Sequence, residues 1–228
     1  MSTDRIVDGR GLRFVFREAG EASAPAVFLL HSMEYDATDW DGVAEGLAPD
    51  YRTIALHQRG FGPSMRMGEY SFELMRDDVV ALADVLGIDE FAVIGHGMGG
   101  AVGYLLAQES PERVTKLILE DAPMPFGEDV PDPPAPHPDA AFDQAAWEAI
   151  ARETKYPSPH WWNELPDITS PTLIIAGGST SYVPQRPMGR VAKLIPDCRR
   201  EIFEGAGHNV HAARPEEYLA LVREFLAA

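Results

Sequence analysis

The chain has 228 residues, of which 45% are hydrophobic, and this size and composition favour one globular domain with a sizeable core. Its 36 acidic and 19 basic side chains give a formal net charge of −17, which argues against binding to nucleic acid or to an anionic membrane surface. The single cysteine, Cys198, excludes an intrachain disulfide and a cysteine-based metal centre. Without a signal-peptide pattern or an apolar run of membrane-spanning length, the sequence predicts a cytoplasmic protein.

Short apolar runs alternate along the chain with stretches of helical periodicity. The predicted strands are residues 12–16, 26–30, 53–56, 91–94, 114–119, 173–176 and 200–203. Apolar residues recur at i, i+3 and i+4 in the three predicted core helices, residues 72–86, 101–108 and 215–226. This alternation predicts an α/β fold, with a doubly wound, mostly parallel sheet covered by helices on both faces.

A proline-rich segment interrupts the alternation. Residues 123–138 contain seven prolines, a density that excludes the interior of a helix. Short helices are predicted after it, at residues 140–153 and 160–165. The pattern predicts a core of residues 1–122 and 169–228 and an inserted lid of residues 123–168, which would exclude water and shape a pocket. Candidate pocket walls, or alternatively core residues of the lid itself, are Phe126, Trp147, Trp161 and Trp162.

The segment at residues 95–100 reads Gly-His-Gly-Met-Gly-Gly between a predicted strand and a predicted helix. Its glycines satisfy G-x-G-x-x-G, and Glu120 and Asp121 lie about 20 residues further on, as in a dinucleotide-binding site. Such a fingerprint normally opens its domain, whereas here three strands precede it and a proline-rich segment follows Asp121. A second interpretation explains more of the chain.

Four blocks support the second interpretation, and they resemble the α/β-hydrolase family. The blocks are His-Ser-Met at 31–33, Gln-Arg-Gly-Phe-Gly-Pro-Ser at 58–64, the segment 95–100, and Gly-Ala-Gly-His at 205–208. Their order and spacing are together far more specific than any one block. The chain resembles the family along nearly all its length, which implies an α/β-hydrolase fold in which segment 95–100 is the sharp turn that carries the nucleophile.

The resemblance also implies roles for single residues. The backbone N–H groups of Met33 and Met98 would bind an oxyanion, and His208 would be the general base. The nucleophile position is occupied by Gly97, which has no side chain, so a covalent acyl-enzyme at this residue is excluded. His31 would support the oxyanion loop, and His31 and Ser32 would line the substrate pocket.

Two residues are candidates for the acid that would orient His208. In the commonest family arrangement the acid follows strand 173–176, but residues 177–181 contain no carboxylate. The resemblance to haloalkane dehalogenases, which place the acid after the preceding sheet strand, implies Glu120 as the first candidate and Asp121 as the second. A carboxylate there would fix the tautomer of His208.

Three functions follow from this combination. The first is an ester or lactone hydrolase for a small, largely apolar carbonyl compound, with Gly97 at the nucleophile position. The second is a non-hydrolytic lyase or cyclase that uses His208 as general base together with the oxyanion hole. The third is a ligand-binding pseudoenzyme. No metal and no organic cofactor is implied.

Overall fold

The computed structural model describes residues 3–125 and 141–228. Within these residues, eight strands form one sheet. The strands are β1 (Asp4–Gly9), β2 (Leu12–Ala19), β3 (Ala26–Leu30), β4 (Arg52–Leu56), β5 (Phe91–His96), β6 (Val114–Glu120), β7 (Thr172–Ala176) and β8 (Cys198–Ile202). Their order across the sheet is β1-β2-β4-β3-β5-β6-β7-β8.

Helices cover both faces of this sheet. The α-helices are α1 (Asp41–Leu47), α2 (Phe72–Val85), α3 (Met98–Glu109), α4 (Gln144–Lys155), α5 (Pro159–Asn163), α6 (Gln185–Val191), α7 (Val210–Ala213) and α8 (Pro215–Ala227). Short 3₁₀ helices lie at Ala37–Trp40, Leu165–Asp167 and Gly178–Thr180. In the part of the chain that the structure describes, no helix is long and apolar enough to cross a membrane.

The sheet is mostly parallel, which confirms the predicted fold class. Only the β1–β2 and β2–β4 pairs are antiparallel among the described strands, and the pairs from β4 across to β8 are parallel. The sequence pattern did not reveal β1, because this edge strand is largely exposed and has no apolar run. Strand β8 begins two residues before its predicted start, at Cys198.

Alternate residues of the central strands enter two separate apolar clusters. Phe28 and Leu30 of β3 pack into the cluster that contains residues of α2 and α3. Val27 and Leu29 of the same strand pack into the cluster on the opposite face, which includes residues of α1 and α8. The central strands therefore read as continuous apolar runs, since neither face of the sheet reaches water.

The carboxyl ends of three neighbouring strands position the candidate site. In the parallel registers, Leu30 lies opposite Gly95 and His96 lies opposite Glu120. The residues that follow β3, β5 and β6 are therefore brought to one edge of the sheet, where ligands bind in open α/β sheets.

Helices α4 and α5 lie in the segment that was predicted as a lid, and they contact the core. Trp161 of α5 is buried, and its indole N–H donates to Glu73 at 3.0 Å. Before α4, Asp143 accepts a hydrogen bond from the Tyr70 hydroxyl at 2.6 Å. The part of this segment from 126 to 140, which includes the candidate pocket residue Phe126, lies outside the described residues.

Candidate active site

The turn between β5 and α3 has a backbone geometry that favours glycine. Gly97 lies at its apex with φ 52° and ψ −117°, a conformation in which other residues are strained. At Gly99, a Cβ atom would lie 2.1 Å from the carbonyl oxygen of Leu30. The turn is thus sharp and closely packed against the end of β3.

The side chain of Ser32 fills the space at the apex of this turn. A Cβ atom built on Gly97 would lie 2.2 Å from Ser32 Oγ, 2.8 Å from Ser32 Cβ and 3.0 Å from His208 Nε2. The first two distances are far below van der Waals contact, so side chains at positions 32 and 97 exclude each other in this arrangement. We call this space, bounded by Gly97, Ser32 and His208, the notch.

His208 is held at the notch by Asp121. The ring Nδ1 lies 2.8 Å from Asp121 Oδ2, and the ring Nε2 faces the notch. The buried Asp121 carboxylate also accepts hydrogen bonds from the Gly177 N–H at 2.9 Å, the Gln185 side-chain amide at 2.9 Å and the Ser181 hydroxyl. A carboxylate held by this many donors fixes both its own position and that of the imidazole.

Glu120, the first sequence candidate for the acid, contacts a different histidine. Its carboxylate accepts from the His211 backbone N–H at 2.9 Å and lies 2.9 Å from His211 Nδ1. Adjacent residues at the end of a strand point to opposite sides, so Glu120 and Asp121 cannot both reach His208. The structure brings Asp121, the second candidate, to His208.

Glu120 and His211 belong to a buried histidine–carboxylate cluster that also contains Asp39 and His96. Asp39 Oδ2 lies 3.2 Å from His211 Nε2 and 3.8 Å from His96 Nδ1. These three atoms lie within 4.8 Å of one another, a spacing that would allow one metal ion, but the 3.2 Å separation is also that of an ion pair. The cluster supports the site directly, because His96 Nε2 donates to the carbonyl oxygen of His208 at 3.0 Å.

The pKa values in this cluster favour charged partners. Burial alone would lower the pKa of His211, but the charge of Glu120 and the hydrogen bonds to Asp39 and Glu120 raise it to about 10. Burial alone would raise the pKa of Glu120, but the charges of His211 and His96 and the hydrogen bonds from His211 hold it at about 2. These directions favour a positively charged His211 between the carboxylates of Glu120 and Asp39.

His31 fixes the loop that carries Ser32. Its Nε2 accepts from the Gln58 backbone N–H at 3.1 Å, so its Nδ1 carries the hydrogen and donates to the Ser32 carbonyl at 2.8 Å. Burial lowers the pKa of His31 to about 4, which keeps the ring neutral and preserves this pattern. His31 thus supports the loop from within the core.

Glu34 and Tyr182 complete the site, and sequence reasoning did not identify them. The Ser32 hydroxyl donates to Glu34 Oε2, and the Tyr182 hydroxyl donates to Glu34 Oε1 at 2.5 Å. His208 Nε2 lies 3.3 Å from Ser32 Oγ and 3.2 Å from the Tyr182 oxygen. Burial, together with the charge of Glu34 and this hydrogen bond, raises the pKa of Tyr182, so the phenol keeps its proton. An acid two residues after Ser32, on the same loop, was the available sequence signal for Glu34.

The N–H groups of Met33 and Met98 are the donors that the family resemblance implies for an oxyanion hole. Met98 is the first residue of α3, and Met33 follows Ser32 on the loop after β3. Neither N–H donates to a backbone carbonyl within residues 3–125 and 141–228. The N-terminus of α3 also favours negative charge through the helix dipole.

The three described tryptophans of the predicted lid lie in different environments. Trp161 is an anchor against the core, with its ring edge-to-face with Phe72 at 5.6 Å. Trp147 is half-buried and packs against Phe142 at 5.2 Å. Trp162 lines an open cavity of about 540 Å³ together with Pro125 and other residues. Trp161 therefore anchors this segment to the core beside α2.

Comparison with known proteins identifies the family of this chain. A family model described as the alpha/beta hydrolase fold matches residues 25–154, and the chain belongs to this family.

Relatives that are named as hydrolases match most of the chain. Over 261 residues it is 24% identical to the sn-1-specific diacylglycerol lipase of Mus musculus, with 91% of this chain and 83% of that protein covered. It is 26% identical over 235 residues to the esterase YbfF of Escherichia coli, with 88% and 92% covered. The solved structure of E-2-(acetamidomethylene)succinate hydrolase matches with a TM-score of 0.86 and 20% identity, covering 100% of each chain, which shows a shared fold.

The mutual exclusion of side chains at positions 32 and 97 can be measured by unfolding. Gly97→Ala adds backbone strain of about 1–3 kcal/mol and, in addition, a steric clash with Ser32. In a Ser32→Gly background only the strain remains, so we expect the two changes to be coupled by about 1–3 kcal/mol. Urea unfolding of the four proteins in this cycle gives the coupling free energy. Equal costs of Gly97→Ala in both backgrounds would show that Ser32 does not fill the notch.

The buried histidine–carboxylate cluster predicts a pH dependence of stability. His211 has a raised pKa, so its contribution is full below its ordinary value of 6.5 and is lost as pH rises toward about 10. Glu120 has a lowered pKa, so its contribution is full above 4.5 and is lost as pH falls toward about 2. The difference in unfolding free energy between the wild-type protein and His211→Gln is therefore expected to be largest between about pH 4.5 and 6.5. A difference that is constant from pH 5 to pH 10 contradicts the charged assignment.

Proposed function

We propose that this protein is a hydrolase of esters or related carbonyl compounds, in which the His208–Asp121 pair transfers protons at the notch. The observation that carries the proposal is the orientation of His208, with Nδ1 bound to Asp121 at 2.8 Å and Nε2 directed at the position beside Gly97. Relatives named as an esterase and a lipase support this reaction class.

Asp121 is the acid in this proposal. It would hold the imidazole in one orientation and stabilise the positive charge that His208 carries whenever both ring nitrogens are protonated. Glu120 has a separate task, because its carboxylate is engaged with His211 in the buried cluster that supports the His208 backbone.

Met33 and Met98 would stabilise the oxyanion of the tetrahedral intermediate through their backbone N–H groups. Two such donors in a site that excludes water contribute about 3 kcal/mol each to transition-state stabilisation. The side chains of both residues are buried at the site and are apolar, which favours a small, largely apolar substrate. The segment 123–168 is proposed as the lid over this site.

The absence of a side chain at residue 97 favours a second candidate, a lyase or cyclase. In that reaction His208 would remove a proton from the substrate, and the same N–H groups would hold the resulting enolate or alkoxide. No covalent intermediate is needed, so this candidate requires only groups that the notch already presents.

Hydrolysis of p-nitrophenyl acetate and butyrate tests the proposal. The wild-type protein is expected to hydrolyse these esters, and His208→Ala is expected to lower kcat/KM by about 10²–10⁴-fold because it removes the proton-transfer group. Asp121→Asn is expected to give a loss of the same order. The matched control is His160→Ala, whose side chain is 73% exposed on α5 and whose removal should leave the rate unchanged.

Two outcomes would argue against the hydrolase. If the wild-type protein hydrolyses neither ester but converts a carbonyl substrate in a His208-dependent reaction without adding water, the lyase or cyclase is favoured. If His208→Ala changes no rate with any substrate, a ligand-binding protein is favoured instead.

A further inference from the structure

We propose that Ser32 is the nucleophile of this site and that Glu34 accepts its proton. This inference rests on the proposed hydrolase function and deepens it, because it names the group that attacks the carbonyl carbon. The hydroxyl that the elbow lacks would then be supplied by the loop after β3.

Ser32 Oγ lies at the position that a side chain on the elbow would occupy. A Cβ atom on Gly97 would lie 2.2 Å from Ser32 Oγ, so this hydroxyl already occupies the volume that a side chain at the elbow would take. It lies 3.3 Å from His208 Nε2, and His208 is bound in turn to Asp121. A nucleophile, a proton-transfer group and an acid therefore stand in the order that acyl transfer requires.

The Glu34 carboxylate lies beside the Ser32 hydroxyl. Glu34 has a side chain that is only 6% exposed, and it accepts hydrogen bonds from the Ser32 and Tyr182 hydroxyls. Burying a carboxylate is costly unless it is hydrogen-bonded, and simple filling of the notch would need no acid. The loop instead places the Glu34 carboxylate, a proton acceptor, in hydrogen-bond contact with Ser32 Oγ.

The Ser32 and Tyr182 hydroxyls both donate to Glu34 and not to His208. Both hydroxyl hydrogens point to Glu34, so His208 Nε2 faces two oxygen atoms, at 3.2 and 3.3 Å, that have no hydrogen directed at it. A hydrogen on Nε2 fits this arrangement, and Nδ1 carries a second hydrogen that it donates to Asp121, so His208 enters the proposed reaction with both ring nitrogens protonated. Glu34 is therefore placed as the base for Ser32, and His208 as the acid for the leaving group.

In acylation, the Ser32 oxygen bonds to the ester carbonyl carbon while its proton moves to Glu34. The tetrahedral intermediate then breaks the bond between the carbonyl carbon and the alkoxy oxygen, and His208 Nε2–H protonates the departing oxygen. The alcohol leaves, and the enzyme holds an acyl-Ser32, a protonated Glu34 and a neutral His208. The charges and protons balance without any further reactant.

In deacylation, water attacks the acyl carbon and gives its proton to His208 Nε2. The second tetrahedral intermediate releases Ser32 Oγ, which takes back the proton from Glu34. The acid product leaves and the starting protonation state returns. The proton exchanged between Ser32 and Glu34 moves along a hydrogen bond that the structure already contains. The other two transfers run between His208 and the leaving group or water.

The test combines ester kinetics with covalent labelling. A fluorophosphonate probe is reacted with the wild-type protein, and peptide mass spectrometry locates the phosphonyl group, which we expect on Ser32. With p-nitrophenyl acetate we expect a burst of p-nitrophenol that matches the enzyme concentration. Ser32→Ala is expected to remove label and burst and to lower kcat/KM by about 10³-fold or more.

Two further variants complete the test. The matched control is Ser170→Ala, which removes a buried serine hydroxyl that has no hydrogen-bond partner within the described residues, and it should keep label, burst and rate. Glu34→Gln should lower kcat and change its pH profile, since the proton acceptor is lost while the side-chain shape is kept. Circular dichroism checks that each variant is folded, and the wild-type label site decides the question if Ser32→Ala does not fold.

The outcomes separate the two proposals. Wild-type hydrolysis that depends on His208 but is unchanged in Ser32→Ala would overturn the Ser32 assignment and leave the hydrolase standing, with water as the nucleophile. A wild-type label on a residue other than Ser32 would overturn the same assignment. A wild-type protein that neither hydrolyses the esters nor takes up the probe would overturn the hydrolase itself.

Discussion

The space at the apex of the β5–α3 turn holds one side chain, and in this protein that side chain comes from Ser32. The elbow backbone is sharp and tightly packed, with Gly97 at a positive φ and its neighbours against β3. His208 faces this space from the other side and is fixed by Asp121. Because the space admits either a side chain at 97 or one at 32, glycine at the elbow is the condition under which Ser32 can approach His208.

The loop after β3 is built to hold Ser32 in that place. A neutral His31 donates to the Ser32 carbonyl from the core. Glu34 accepts from the Ser32 hydroxyl and also from the Tyr182 hydroxyl. The buried cluster around His211 anchors the other partner, since His96 links it to the backbone of His208. The loop after β3 and the loop that carries His208 are therefore both anchored to the core, and they meet at the notch.

The fold followed from the sequence because the central strands are apolar on both faces and alternate with helical periodicity. Strand β1 was not predicted, because it is an exposed edge strand without an apolar run. At the site, His208 and the elbow came from motif spacing, but the choice between Glu120 and Asp121 did not, because it depends on which way each side chain leaves β6. Glu34 and Tyr182 could not be paired from sequence, as they are 148 residues apart and meet only in the folded chain.

A crystal structure of the protein at a resolution that defines side-chain rotamers measures the central claim most directly. The account predicts Ser32 Oγ beside Gly97, about 3.3 Å from His208 Nε2 and hydrogen-bonded to Glu34. It is contradicted if Ser32 points away from Gly97 and an ordered water occupies the notch against His208.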